Sequence, residues 1–174
     1  MILRAARPED AAAVCAIANP IIRDTLITFT TRERMAQDVA RQIAERGAAF
    51  LVAERGGAVA GFATYGPFRS GPGYAASREH TVQLVPEARG RGLGRALMAR
   101  LEAVASGEGI HVLIAGISAA NPAAIAFHAA LGYAEVGRMP EVGRKQGRWL
   151  DLVLMQKILA AGRHAAPDSA PGPG

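Results

Sequence analysis

The stretch Val85-Pro86-Glu87-Ala88-Arg89-Gly90-Arg91-Gly92-Leu93-Gly94-Arg95 constrains this chain more than any other. Ahead of it runs Glu79-His80-Thr81-Val82-Gln83-Leu84-Val85, which reads as a strand. Behind it Leu93, Leu97 and Leu101 fall at i, i+4 and i+8, the spacing of one helix face. A strand, a glycine-rich turn and a helix N-terminus in that order make an anion site. Glycine lets the backbone approach a ligand closely, and the free N–H groups of the first helical turn point at it with the positive end of the dipole. Arg89, Arg91 and Arg95 add full positive charge. The arrangement reads as a pyrophosphate cradle.

Two common pyrophosphate sites do not fit. A P-loop carries Lys-Ser/Thr after its last glycine, where this chain has Arg95-Ala96. A dinucleotide fold places its turn after the first strand, with an acidic residue about twenty positions on. Here the turn is mid-chain, and Ile110 to Gly116 holds no carboxylate.

A length of 174 residues suits one domain with a substantial core. No apolar run approaches the roughly eighteen residues that would span a bilayer, so no membrane partner is expected. Met1-Ile2-Leu3-Arg4 leads straight into folded-looking sequence without the pattern of a signal peptide. The single cysteine, Cys15, lies among alanines and reads as a small core residue; a cytoplasmic protein is expected. The net charge of +5 invites nucleic acid, but neither basic concentration, 89–95 or 138–148, has aromatic residues interleaved for stacking. A polyanionic cofactor accounts for the first cluster more economically. The histidines, His80, His111, His128 and His164, stand far apart, so no metal site is expected.

Taken in order, Ile2–Ala6 reads as a strand, and Pro8-Glu9-Asp10 opens a helix through Val14, Ile17 and Ala18. Ile21–Thr31, rich in threonine and β-branched residues, reads as a loop or short extended piece. Thr31 is placed to cap a helix with the face Met35, Val39 and Ile43, closed by Gly47. Phe50–Ala53 and Val59–Tyr65 form a hairpin about Arg55-Gly56-Gly57, and Gly66–Ser77 is a surface loop. After the central strand and its helix come a buried strand at His111–Ile117 and a helix from Asn121-Pro122 through His128, ended by Gly132. Strands at Ala134–Arg138 and Leu150–Lys157 finish a mixed α/β sheet. Residues 160–174, all Pro, Gly, Ser, Ala and a few polar groups, are expected to be a disordered tail behind a single domain of residues 1–159.

Arg89-x-x-Gly92-x-Gly94 resembles the acetyl-CoA loop of the GNAT superfamily, whose pattern is Gln/Arg-x-x-Gly-x-Gly/Ala. Within that superfamily the chain most resembles the phosphinothricin and methionine sulfoximine/sulfone N-acetyltransferases. Four stretches carry this: Glu79-His80-Thr81-Val82, Arg89–Gly94, Asn121-x6-His128-x2-Leu131-Gly132-Tyr133, and Gly143-x-Lys145-x-Gly147-Arg148-Trp149-Leu150-Asp151. The resemblance spans residues 2–158. It implies a mixed, mostly antiparallel central sheet flanked by helices, acetyl-CoA as co-substrate, a small amino acid as acceptor and a homodimer.

The same resemblance implies roles for individual residues. Glu79 matches the proposed general base. Val82, Gln83 and Leu84 should offer main-chain groups to the pantetheine arm. Arg89, Gly90, Arg91, Gly92, Leu93, Gly94 and Arg95 should bind the pyrophosphate. Asn121 matches an asparagine that contacts the cofactor arm, and it also reads as a helix N-cap before Pro122. His128 stands where many relatives carry a tyrosine as the acid for the departing thiolate; a core histidine shaping the tunnel is the alternative. Arg69 matches an arginine that holds the acceptor's carboxylate, although Ser70-Gly71 follow it where the family has Pro and Phe. Glu79, His80 and Thr81 should line the same pocket. Lys145, Arg148 and Trp149 could complete it or support a dimer contact, with Trp149 most simply a packed aromatic and Asp151 a partner for an arginine. Acetylation of protein N-termini or another amine is the nearest rival. A non-catalytic acyl-CoA- or nucleic-acid-binding module is the more distant one.

Overall fold

The structure, a computed structural model, describes residues 1–159, and the expected tail lies outside them. The elements are β1 (Ile2–Ala5), α1 (Ala11–Asp24), α2 (Ala36–Arg46), β2 (Phe50–Arg55), β3 (Ala58–Pro67), β4 (Ser77–Leu84), α3 (Leu93–Gly107), β5 (Val112–Ser118), α4 (Pro122–Ala130), β6 (Ala134–Lys145) and β7 (Arg148–Ile158). One seven-stranded sheet runs in the order β1-β2-β3-β4-β5-β7-β6. Every pairing is antiparallel except β4 with β5, which is parallel and needs the crossover that α3 supplies.

Alternating side chains send β2 and β3 into two cores. On one face Leu51, Ala53 and Ala63 pack under Leu93, Leu97 and Leu101 of α3. On the other, Phe50, Val52 and Phe62 meet Val14, Ile17 and Ala18 of α1 and Val39 and Ile43 of α2. The helical spacing of these leucines and β-branched residues thus builds both layers.

Six local expectations need correction. Helix α1 does not stop near Ala18; it continues through Pro20 to Asp24. A proline inside a helix costs about 3 kcal/mol, and burial of Ile21 and Ile22 offsets it at about 1.5–3 kcal/mol each. Thr31 caps nothing: α2 begins five residues later with Met35 as its N-cap residue. The approach to α2 is fixed instead by Asn19, whose amide donates to Arg34 O (3.1 Å) and accepts from Arg34 N (2.9 Å). The loop before the central strand is shorter than expected, because β3 reaches Pro67. Finally, β6 extends to Lys145 through register shifts at Glu135/Gly137 and Met139/Gly143. Among the described residues Asp151 has no arginine partner; its Oδ1 accepts from Glu141 N (2.9 Å), a residue held at φ 54° in the second irregularity. Trp149 is exposed, with the Arg144 guanidinium over its ring.

Candidate active site

The parallel pairing of β4 with β5 is brief. Ser77, Arg78 and Glu79 align with Val112, Leu113 and Ile114, and the strands then part. His80–Leu84 on one side and Ala115–Ser118 on the other therefore present main chain to a widening cleft. An extended ligand with amide groups can add to such edges as a strand would.

A cavity of 900 Å³ fills this cleft and continues to the start of α3. Val82, Gln83, Leu84, Arg89, Gly90, Gly92, Gly94, Arg95 and Asn121 all line it. Gly90 and Gly92 sit at φ 68° and 80°, a left-handed geometry that brings the turn round to the helix. No side chain caps α3, so the N–H groups of Leu93, Gly94 and Arg95 are left for a ligand. Leu93 can contribute only through that main chain, since its side chain is core, and Arg91 is exposed outside the lining. Asn121 does cap α4, accepting from Ala124 N (3.2 Å), while also facing the cavity. An arginine-flanked helix end with free N–H groups and an open strand edge fit a diphosphate joined to an amide-bearing arm.

A second cavity, of 590 Å³, lies on the other side of Glu79. It is walled by the α1–α2 connection, by α2, and by Thr64, Gly66, Glu79 and Thr81 of β3 and β4. Glu79 and Thr30 border both cavities. The Glu79 side chain opens into this junction, yet enough protein surrounds the carboxylate that burial raises its pKa.

His80 points away from the second cavity. It is buried, and its Nε2 lies 3.0 Å from Nε2 of His128. His128 Nδ1 is 2.7 Å from Ala124 O, so Nδ1 carries the hydrogen and Nε2 accepts from His80. Burial lowers the pKa of both rings, that of His80 to about 3 with help from its neighbour. Arg69, Ser70 and Gly71 are exposed and line neither cavity; Arg69 stacks on Phe68.

The segment between α1 and α2, to which the sequence pointed in no way, belongs to the site. Thr28, Phe29 and Thr30 wall the larger cavity. The string at 143–151 holds that wall. Lys145 Nζ donates to Thr28 O (2.9 Å), and the Phe29 ring occupies the space a side chain on Gly143 would need. The unusual density of special residues in that string was the available signal. Among the described residues, no group of three or more His, Cys, Asp or Glu side chains could hold a metal ion. None of their helices is long and apolar enough to cross a membrane.

Residues 19–133 match the acetyltransferase (GNAT) family. The chain is 41% identical to the L-methionine sulfoximine/L-methionine sulfone acetyltransferase of Salmonella typhimurium, covering 97% of this chain and 99% of that one. Two solved structures share the fold. One is a phosphinothricin acetyltransferase from Sinorhizobium meliloti in complex with acetyl-CoA, at 32% identity and a TM-score of 0.88 over 97% of this chain and 93% of that chain. The other is named a ribosomal-protein-alanine N-acetyltransferase, from Brucella melitensis, at 42% identity and a TM-score of 0.86 over 91% and 100%. The chain belongs to the GNAT family, and it is an acetyl-CoA-dependent N-acetyltransferase.

Proposed function

We propose that this enzyme acetylates the α-amino group of a small amino acid with a tetrahedral polar head, of the methionine sulfoximine, methionine sulfone or phosphinothricin type. The observation that carries the reading is the position of Glu79, at the border of two cavities where β4 and β5 part. The names of the relatives support the acceptor class.

Acetyl-CoA supplies the acetyl group as a thioester. In this reading Glu79 takes the ammonium proton of the acceptor, directly or through one water, with its basicity raised by burial. The amine nitrogen then bonds to the carbonyl carbon and gives up its surplus proton to solvent, the C–S bond breaks, and sulfur leaves with the electron pair. Main-chain N–H groups on the open edge of β4 are the donors at hand for charge gathering on the carbonyl oxygen. As the acid for sulfur, His128 would need a proton on Nε2, the atom that receives the hydrogen of His80. We assign that proton to solvent in the cavity and leave His128 in its wall. His128→Ala should then keep the alkaline limb of the pH–rate profile.

The reading also makes the chain a cytoplasmic homodimer of one catalytic domain over residues 1–159. Val136, Met139, Val142 and Trp149 are exposed on β6 and β7, at the far edge of the sheet, which supports a second copy there. Sedimentation would decide.

The test is free-thiol release from acetyl-CoA with methionine sulfone, methionine sulfoximine, phosphinothricin, a polyamine and a peptide with a free N-terminus. Release with the first three supports the proposal. Release with the peptide alone would favour the second reading, a protein N-terminal acetyltransferase, which the Brucella relative's name supports.

A further inference from the structure

Arg32, Arg34 and Arg46 line the smaller cavity, and among the described residues none of them forms an ion pair; Arg32 is exposed. Arg34 and Arg46 are half-buried in its wall. Of the carboxylates on the α1–α2 side, Glu33 pairs with Arg23 and Asp38 with Arg41. Glu45 attracts Arg46 from the next position without bonding to it. Burial lowers the pKa of both arginines, and at Arg46 repulsion from Arg34 adds to it. Two half-buried like charges in one cavity wall repel each other, and an anion between them relieves that cost.

Both arginines are positioned by identifiable contacts. The Arg34 backbone is clamped to Asn19, and its guanidinium lies over the Phe62 ring. Arg46 Nη1 donates to Thr64 Oγ1 (3.1 Å). Its Nη2 lies 3.2 Å from where a Cβ on Gly66 would stand, so the guanidinium occupies that glycine's side-chain space. Gly66 is directly opposite Glu79 in the β3–β4 register, and Thr64 is opposite Thr81. Opposed residues project from the same sheet face about 5 Å apart. Arg46 therefore faces the same cavity as Glu79, which leans the other way, towards Gly116 on β5. A carboxylate on one wall and paired guanidinium groups on the other match the two ends of a zwitterion.

We infer that Arg34 and Arg46 are the receptor for the α-carboxylate of a free amino acid whose ammonium group meets Glu79. This rests on the proposed acceptor class and deepens it: a peptide N-terminus or a polyamine has no carboxylate beside its amine. Arg69, exposed outside both cavities, is not needed for that contact.

The test compares L-methionine sulfone with its carboxamide as acceptors for the wild-type enzyme, Arg34→Gln, Arg46→Gln and Arg69→Gln. Each of the first two substitutions should raise KM for the sulfone roughly 10- to 100-fold. Their kcat and their KM for acetyl-CoA should stay within a few-fold of wild type, and the carboxamide should be nearly unaffected. Arg69→Gln should behave as wild type. Arg34→Lys and Arg46→Lys, which keep the charge, should recover part of the loss and serve where a glutamine variant melts early. Acid-over-amide preference that survives both glutamine variants, or that vanishes with Arg69→Gln alone, overturns the assignment. A wild-type enzyme that ignores every amino acid yet acetylates a peptide overturns the acceptor class as well, so the two failures are told apart.

Discussion

The carboxylate of Glu79 stands in the space that a side chain on Gly116 would occupy: a Cβ there would lie 2.7 Å from Glu79 Oε1. The absent side chain on β5 thus sets where the carboxylate rests. Gly116→Ala should displace the flexible end of Glu79 while leaving the strand intact, since alanine suits a strand better than glycine. The expected outcome is a fall in kcat of up to roughly 100-fold, as for an ångström-scale misplacement. Thermal melting should be unchanged or slightly later. An early-melting variant with normal kcat per folded molecule would contradict this.

Burial raises the pKa of Glu79, so a base at this position is lost at a higher pH than an ordinary carboxylate would be. The wild-type rate should fall as pH drops through that raised value. Glu79→Gln should lower the rate at neutral pH by roughly ten- to ten-thousand-fold and flatten the acid limb. A pH–rate profile of unchanged shape would remove Glu79 from the role.

The pair formed by His80 and His128 bears on stability. The His80 imidazole drops from its ordinary pKa of 6.5 to about 3 in the folded chain. Between those values the unfolded chain holds a proton that the folded chain does not. The contribution is therefore fully present above 6.5 and is lost as pH falls towards 3, with a slope of about 1.4 kcal/mol per pH unit for one group. His80→Gln keeps a donor near His128 without the titration. Melting temperatures followed from about pH 7 to about pH 4 should decline less steeply in the variant, and parallel declines would refute the account.

Lys145 is 4% exposed and donates to the main chain of Thr28. Lys145→Met keeps the aliphatic stem and removes that bond, leaving Thr28 O without its donor, at about 1–3 kcal/mol. Because Thr28, Phe29 and Thr30 wall the larger cavity, KM for acetyl-CoA should rise and residues 25–35 should become more open to limited proteolysis. Unchanged cleavage and unchanged KM would mean the wall holds without it.

What the sequence revealed was the local chemistry. The turn at Arg89–Gly94 and the cap at Asn121-Pro122 are each written within a few neighbouring residues; Arg89, Gly90, Gly92 and Gly94 line the larger cavity, and Asn121 caps α4. The wall at residues 28–30 was not legible, because its threonines and phenylalanine acquire a role only against Gly143 and Lys145, over a hundred positions on. Arg34 and Arg46 were hidden for a related reason: in a chain rich in arginine, only the fold tells which guanidinium groups lack a partner. The length of β6 was missed because its register shifts interrupt the alternation by which a strand is read. Trp149 was open to two readings, a packed aromatic or a dimer contact, and its outward-facing ring removes the first within this chain.

The brief parallel contact between β4 and β5 also has a mechanical side. Strands β1 to β4 and strands β5 to β7 are each stitched by long antiparallel ladders, whereas three residue pairs join the two groups. The sheet has a seam there, bridged by α3. A ligand lying along the open edges would act as a splint across that seam, joining halves that three residue pairs of the sheet hold at one end. Part of the cohesion of such a sheet would then be lent by its co-substrate and would lapse each time the site empties.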